Sequence, residues 1–288
     1  MADLHDFLRR HPRLLVLSGA GVSTASGIPG YRDDEGRWTR PPPVTLQEFL
    51  RSAPARQRYW ARSMQGWPLV ARARPNAAHR ALARLETARE STRLVTQNVD
   101  GLHQRAGSTN VIELHGSVGR VVCLDCGAEH ARDAIQQTLE AENAGFLDAR
   151  ATAAPDGAAD VLQEGAERFK VPHCAHCGGL LKPDVVFFGE NVPRDRVGAA
   201  MRALERSDAM LVVGSSLMVW SGYRFCERAE SLGKPIAAIN RGRTRADHLF
   251  ALKVDEPCAP ALCTAVERLE ACGPDPLPQP GTGPAYLG

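Results

Sequence analysis

The sequence lacks any concentration of charge of one sign. Its 288 residues carry a formal net charge of +2, and lysine and arginine cluster in no segment. A protein dedicated to binding nucleic acid presents a basic patch to the phosphate backbone. The composition therefore argues against a nucleic-acid partner and favours small molecules or other proteins.

Long apolar runs and targeting signals are also missing. No run approaches the roughly 20 apolar residues of a membrane span, and the opening "MADLHDFLRRHPRLLVLSG" contains Asp3 and Asp6 and does not resemble a signal or transit peptide. We expect a monomeric cytoplasmic protein with no membrane association. A chain of this length can form one large domain, or a domain with a subdomain. The Pro/Gly-rich end, 273–288, is predicted to be disordered.

Apolar runs typical of buried strands alternate with helical patterns. The runs lie at 13–18, 93–97, 110–114, 184–188, 209–214 and 235–240, and the helical patterns lie near 75–87, 194–207, 222–232 and 259–271. This alternation predicts an α/β fold with a doubly wound, mostly parallel, Rossmann-like sheet. We assign that domain to 1–38, 75–120 and 182–272, with a helical insertion at 39–74 and a smaller domain at 121–181 that contains two Cys-x-x-Cys pairs.

A glycine-rich loop follows the first predicted strand. In "LVLSGAGVSTASGIPGYRDDEGRW" the strand leads into Gly19-Ala20-Gly21, and glycines there let backbone N–H groups approach a dinucleotide pyrophosphate. The usual fingerprint would place a third glycine at position 24, which is Thr24; the next is Gly27. That spacing disfavours an ordinary hydride-transferring dehydrogenase. Taken alone, the loop could be a tight strand-to-helix turn.

Two Cys-x-x-Cys pairs, 47 residues apart, carry the most specific signal. Together they can offer four thiolates to one tetrahedral zinc ion, the ligands being Cys123, Cys126, Cys174 and Cys177. A thioredoxin-type dithiol needs only one such pair. A four-thiolate site leaves no position for water, so the zinc is expected to be structural. His173 and His176 are alternative ligands or bystanders, and the other cysteines (Cys226, Cys258, Cys263, Cys272) are small buried or incidental residues.

Polar residues follow two of the predicted strands. Gln97, Asn98 and Asp100 come after one, and His115 comes after another. Side chains at the carboxyl ends of parallel strands project into the ligand crevice. A single histidine is often structural, and we assign that role to His103. The expected convergence of His115 with Asn98 on the glycine loop instead favours a catalytic site.

The ordered motifs resemble those of the sirtuins, the NAD-dependent protein lysine deacylases. They are "GAGVSTASGIPGYR", "TQNVDGLHQRAG", "ELHGS", "CLDC", "CAHC", "KPDVVFFGE", "VVGSSLMVWSG" and "INRGRTRAD", and the likeness runs from about residue 12 to about 265. Segments such as "RYWARSMQGWP" and "VVGSSLMVWSGYRF" look most like class II, in particular the branch of the fourth mammalian, mitochondrial sirtuin. A bacterial member of that branch is expected.

The resemblance implies a set of NAD-binding residues. Gly19, Ala20, Gly21 and Ser23 would cradle the pyrophosphate, and Tyr31 and Arg32 would lie on the loop that covers the nicotinamide ribose. The nicotinamide pocket would include Gln97, Asn98 and Asp100. The phosphate and adenosine end would be formed by Gly214, Ser215, Ser216, Asn240, Arg241 and Cys258. The family commonly has Asp where this chain has Gly30, and this difference puts the tightness of NAD binding in question. Asp33 and Asp34 could replace that carboxylate, or they could be solvated loop charges.

The resemblance also implies an acyl-lysine protein substrate. Its backbone would pair as a strand between 185–190 and 214–219, with contacts from Val185, Phe188, Gly189, Glu190, Leu217 and Val219. Tyr59 and Arg62 resemble the pair with which the fifth mammalian sirtuin holds the carboxylate of an acidic acyl group. The alternative is an arginine reaching solvent beside a packed tyrosine. This resemblance implies that the pocket prefers acidic or extended acyl groups.

The implied reaction consumes NAD as a substrate. The acyl amide oxygen attacks C1′ of the nicotinamide ribose as nicotinamide leaves, with Asn98 and His115 as catalytic residues and His115 as general base on a ribose hydroxyl. The products would be lysine, nicotinamide and O-acyl-ADP-ribose. Two alternatives stay open: mono-ADP-ribosyl transfer on the same fold, and a zinc module that senses NAD without catalysis.

Overall fold

The computed structural model describes residues 3–39, 43–89, 92–146, 154–156, 158 and 166–271. Its strands, in chain order, are β1 (Leu14–Ser18), β2 (Arg93–Thr96), β3 (Val111–Glu113), β4 (Gly116–Cys123), β5 (Glu129–Ala131), β6 (Leu181–Val185), β7 (Ala209–Val213), β8 (Ile236–Ile239) and β9 (Leu252–Val254). Its α-helices are α1 (Leu4–Arg10), α2 (Leu46–Arg51), α3 (Ala53–Arg72), α4 (Ala77–Ala88), α5 (Leu102–Arg105), α6 (Arg132–Glu142), α7 (Arg194–Arg206), α8 (Trp220–Ser231) and α9 (Cys258–Ala271). The predicted disordered tail at 273–288 lies outside these residues.

The main sheet is six-stranded and parallel, in the order β3-β2-β1-β7-β8-β9. Every residue of β1, β7 and β8 is buried, because helices cover both faces of the sheet. Leu14 and Val16 pack with α1, α4 and α9, whereas Leu15 and Leu17 pack with α7 and α8. The prediction of a doubly wound Rossmann-like sheet is confirmed.

A second, three-stranded antiparallel sheet has the order β5-β4-β6. The apolar run at 184–188 was expected to be a strand of the main alternation, and this was wrong. The strand there is Leu181–Val185, and it pairs antiparallel with β4 in the small sheet. An apolar run indicates burial but does not specify its partner strand. The predicted domain boundary at 182 falls inside β6.

The segment predicted to be a helical insertion contains α2 and α3. Thr45 and Glu48 form a capping box at the start of α2, and Ser52 caps α3, which explains why the two helices begin where they do. Trp60 on α3 is fully buried in a hydrophobic cluster that joins α3 to the small sheet. Among the residues that the structure describes, no helix is both long and apolar enough to cross a membrane.

Candidate active site

A cavity of about 670 Å³ opens at the carboxyl edge of the main sheet. It lies where the strand order reverses, between β1 and β7, which is the position where doubly wound sheets bind ligands. Loops that follow β1, β2, β3, β7 and β8 line it, together with the segment that follows β6. The cavity therefore collects side chains from all the strand ends that the sequence singled out.

The loops after β1 and β7 touch through their backbones. The Gly21 amide donates a hydrogen bond of 2.9 Å to the Gly214 carbonyl, and a Cβ on Gly21 would lie 2.9 Å from the Gly214 Cα. Gly214 also has φ +61°, which disfavours any residue with a side chain. Glycine is thus required on both sides of this contact, which leaves bare backbone facing the cavity.

The Asn98 side chain is held in place by a hydrogen-bonded group of buried polar atoms. Its Nδ2 donates to the Gly19 carbonyl and to Ser23 Oγ, both at 3.1 Å, and Ser23 Oγ donates to Asp100 Oδ2 at 2.7 Å. Burial raises the pKa of Asp100, and the Ser23 hydrogen bond opposes that shift. Asn98 lines the cavity, whereas Ser23 and Asp100 do not. The latter two orient Asn98 without facing the cavity.

His115 is held at both ring nitrogens. Nδ1 lies 2.9 Å from the Gln97 carbonyl oxygen and Nε2 lies 2.8 Å from Ser221 Oγ. A carbonyl can only accept, so Nδ1 carries the proton and Nε2 is bare. Burial lowers the pKa of His115 to about 4, against the raising effect of the Gln97 hydrogen bond. The ring is neutral at pH 7, as a general base must be.

Two further histidines lie in the core behind the loop after β1. His79 and His103 are almost fully buried with ring centroids 4.9 Å apart, and Ser18 Oγ lies 2.8 Å from His103 Nε2. Burial lowers the pKa of His79 to about 4 and that of His103 to about 3. Neither lines the cavity, in agreement with the structural role assigned to His103.

The loop at 30–39 covers one side of the cavity. Tyr31 and Trp38 pack edge-on against Phe188, with ring centroids 6.3 and 5.5 Å away. The Arg32 guanidinium stacks 4.3 Å from the Trp38 ring and donates to the Gly36 carbonyl at 2.8 Å. Sequence reasoning missed Trp38, whose partner Phe188 is 150 residues away in the chain and carries no local signal.

The charges that follow Gly30 are engaged within the protein. Asp33 accepts from the amides of Glu35 and Arg37, and Asp34 pairs with Arg241 at 2.9 Å. A Cβ on Gly30 would come no closer than 3.5 Å to its neighbours, so the absence of a side chain there is not a steric requirement.

Asn240, Arg241 and Cys258 line a further part of the cavity. Asn240 follows β8 and donates from Nδ2 to its neighbour's carbonyl at 2.9 Å, and Cys258 begins α9. Burial raises the pKa of the Cys258 thiol to about 11, so this cysteine is not a thiolate at neutral pH. Ser216 lines the cavity nearby, and Ser215 donates to Gln97 Oε1 at 2.6 Å.

The segments 185–190 and 214–219 form the two walls of a cleft that leads to His115. The residues expected to contact a peptide all line the cavity: Val185, Phe188, Gly189, Glu190, Leu217 and Val219. Leu217 has φ +58° although it is not glycine, a strained conformation of the kind found at functional sites. Glu190 accepts from the Phe187 amide at 2.8 Å and pairs at 3.1 Å with the buried ammonium of Lys182. Sequence reasoning missed Lys182, which fixes this wall.

Tyr59 and Arg62 of α3 differ in what their side chains contact. Tyr59 is 6% exposed and packs among Phe49, Trp60 and Phe187, and it does not line the cavity. Arg62 lines a small adjacent depression together with Tyr31, Trp38 and Asp156. A role of this pair in acyl recognition stays a prediction.

The four predicted metal ligands converge. The sulfurs of Cys123, Cys126, Cys174 and Cys177 all lie within 4.8 Å of one another, with pairs at 3.5 and 3.8 Å. A tetrahedral zinc with Zn–S bonds of about 2.3 Å requires sulfurs about 3.8 Å apart. The cluster therefore fits one structural zinc ion. His173 and His176, the alternative ligands, are not part of this group.

Comparison with known proteins decides the family. A family model described as "Sir2 family" matches residues 19–221, well over half of the chain. The chain belongs to the Sir2 family. A Sir2 relative from Xanthomonas campestris pv. campestris (strain 8004), named NAD-dependent protein deacetylase, is 55% identical over 274 residues, covering 95% of this chain and 92% of the relative. One from Bordetella pertussis with the same name is 56% identical over 263 residues, covering 91% and 96%.

Solved Sir2 structures share the fold. One described as "Sir2-p53 peptide-NAD+" has a TM-score of 0.71 and 29% identity, and the match covers 92% of this chain and 97% of that one. Another, described as "The Structural basis for Sirtuin Substrate affinity", has a TM-score of 0.72 and 30% identity, covering 91% and 95%. The resemblance of this chain to sirtuins is thereby confirmed at the family level.

Proposed function

We propose that this Sir2 protein is an NAD-dependent protein lysine deacylase. One observation carries the proposal: a neutral histidine of fixed tautomer, His115, shares a cavity with Asn98 and with two glycine loops of bare backbone. The relatives that are 55% and 56% identical bear the name NAD-dependent protein deacetylase, which supports the same reaction.

The cavity offers NAD a phosphate site beside its two glycine loops. A Cβ on Gly21 or Gly214 would overlap the backbone of the other loop, so glycine keeps the two loops in contact, and the pyrophosphate would lie against the backbone of Ala20 and Ser215 beside that contact. The part of the loop at 30–39 that carries Arg32 would enclose the nicotinamide ribose. Asn240 and Arg241 would contact the adenosine ribose. Bound NAD supplies the ribose carbon at which the acyl amide oxygen reacts.

His115 would act as the general base. Its Nδ1–H bond to Gln97 keeps Nε2 as the proton acceptor, and its lowered pKa keeps the ring neutral. Proton transfer by a positioned base contributes about 10²–10⁴-fold to rate. Asn98, held by Gly19 and Ser23, would fix the nicotinamide end of the substrate.

The acyl-lysine peptide would enter as a strand between 185–190 and 214–219. Pairing through backbone reads the substrate's sequence weakly, so the protein would act on several proteins. We propose membership of class II, in the branch of the fourth mammalian sirtuin. We also propose that it works as a monomer in the cytoplasm, without nucleic acid.

Mass spectrometry of an acetyl-lysine peptide incubated with NAD⁺ tests this function. We expect loss of the acetyl group and formation of O-acetyl-ADP-ribose. Addition of ADP-ribose to a protein would instead indicate the transferase alternative, and no change would indicate the non-catalytic one. His115→Ala should lower deacetylation by at least about 10²-fold, whereas the exposed His248 provides a matched control, His248→Ala, that keeps full activity.

The proposed acyl preference is for acidic or extended groups. Arg62 lies in a depression whose walls, Tyr31 and Trp38, also line the cavity, so a long acyl chain could extend from the cavity to Arg62. A guanidinium binds carboxylates through charge-assisted bonds. Asp156 in the same depression would weaken that attraction. With a panel of acyl peptides we expect glutaryl-lysine to exceed acetyl-lysine in kcat/KM and Arg62→Met to remove the difference; acetyl-lysine as the best substrate contradicts the preference.

A further inference from the structure

His115, the base of the proposed reaction, already uses the lone pair on its Nε2 to accept a hydrogen bond. Because Nδ1 of His115 donates to the Gln97 carbonyl, Nε2 can only accept, and the group that reaches it is the Ser221 hydroxyl at 2.8 Å. Ser221 therefore donates its proton to Nε2 in the resting protein. A proton that travels from the cavity to Nε2 must either displace this hydroxyl or pass through it.

Ser221 is positioned for the second route. It is the second residue of α8, it is 8% exposed, and it lines the same cavity as His115. Among the described residues its hydroxyl oxygen makes no other hydrogen bond, so it retains lone pairs that can accept from a substrate hydroxyl.

Movement of the Ser221 backbone away from His115 is opposed by the packing of α8. The next residue, Gly222, is buried with its Cα directly against the Gln97 side chain, where a Cβ would overlap Gln97 Nε2. The Gln97 side chain is in turn held by Ser215 at 2.6 Å. The residue whose carbonyl fixes Nδ1 thus also fixes the first turn of the helix that carries Ser221, and the two contacts on the imidazole form one rigid unit.

We propose that Ser221 relays the proton that His115 receives from the ribose hydroxyl. The ribose O–H bond breaks and its proton joins Ser221 Oγ, while the original Ser221 O–H bond breaks and that proton joins His115 Nε2. The ribose oxygen becomes the nucleophile, Ser221 ends as a neutral hydroxyl, and His115 ends as imidazolium. The imidazolium then donates to Ser221 Oγ, so the contact persists with its direction reversed. This inference rests on the proposed deacylase function.

Two activities separate the relay from a structural role. Exchange of labelled nicotinamide into NAD⁺, in the presence of acetyl-lysine peptide, requires the reaction at C1′ but not the base. We expect Ser221→Ala to lower the kcat of deacetylation by about 10²-fold and to leave the exchange rate and both KM values within about twofold of wild type. Ser221→Thr, which keeps the hydroxyl, should retain most of the activity.

A matched control lies on the same helix. Ser231 ends α8 and is exposed, and Ser231→Ala should leave both activities unchanged. The relay is refuted if Ser221→Ala deacetylates like wild type, if it loses exchange and deacetylation equally, or if a folded Ser221→Thr falls as far as Ser221→Ala. A wild-type protein that deacetylates no peptide refutes the proposed function and the relay with it, which distinguishes the two failures.

Discussion

Replacement of Gly116 by alanine should damage both the fold and the base. Gly116 follows His115 directly and begins β4, where it pairs with Val185 of β6. It has φ +80°, and a Cβ there would overlap the backbone carbonyl oxygen of Asp184. A backbone atom in a paired strand cannot rotate away as a side chain can, so the two strands must separate.

The cost follows from two separate effects. A left-handed conformation costs a residue with a Cβ about 1–2 kcal/mol. Forcing an extra carbon into a packed position adds about 1–3 kcal/mol, which gives a total of about 2–5 kcal/mol. That is a large part of the roughly 5–15 kcal/mol by which a typical domain is stable.

A second glycine isolates the steric effect. Gly233 has φ +65°, but a Cβ added there would meet nothing within 4 Å, so Gly233→Ala should cost only the conformational part, about 1–2 kcal/mol. Urea unfolding of both variants measures the difference, and deacetylation should fall only in Gly116→Ala because its strand displaces His115. Equal stability of the two variants, or full activity of Gly116→Ala, would refute the reasoning.

Three further outcomes are expected. Cys174→Ser should release the bound zinc and lower stability first, with activity falling as a consequence; metal analysis that finds no zinc in active wild-type protein contradicts this. His79 and His103 have pKa values lowered to about 4 and about 3, so below pH 6.5 the unfolded chain binds protons that the folded one does not. The free energy of unfolding should therefore fall by roughly 2 kcal/mol per histidine between pH 7 and 5, and His103→Gln should flatten that slope in urea titrations. Lys182→Met leaves Glu190 without its buried ammonium, so it should lower stability by about 1–3 kcal/mol and raise the KM for peptide; an unchanged KM would show that this pair does not fix the cleft wall.

The main sheet was predictable because its signal is local. Runs such as 13–18 and 209–214 are apolar on both faces, and a strand buried between two helical layers needs no further specification. The zinc site was predictable for the same reason, because the spacing of the cysteines in each pair is a local signal. The place of Leu181–Val185 in the small sheet was not predictable, because nothing in the apolar run itself shows that β4 is its partner.

The contacts that complete the site were not predictable from local patterns. Ser221 reaches His115 across 106 residues of chain, and a serine at the second position of a helix looks like any other. Trp38 was likewise not predicted as a site residue, because its contact with Phe188 is seen only in the folded structure. The glycine loop and His115 were recognised by their positions after strands, whereas their supporting partners depend on how distant segments pack.

The four-cysteine cluster has a consequence for how the protein can vary. It joins the turn that follows β4 to the turn that precedes β6, and a metal there closes the 47 residues between Cys126 and Cys174 into a loop with fixed ends. Once the ends are tied, doubling the length of a flexible loop costs only about 0.6 kcal/mol. The segment between the two pairs also contains β5, which pairs with β4, and α6, whose Ile135 and Leu139 pack in the core. Insertions between the two pairs that fall outside β5 and α6 should therefore be tolerated in evolution and in engineering without moving the strand that begins beside His115.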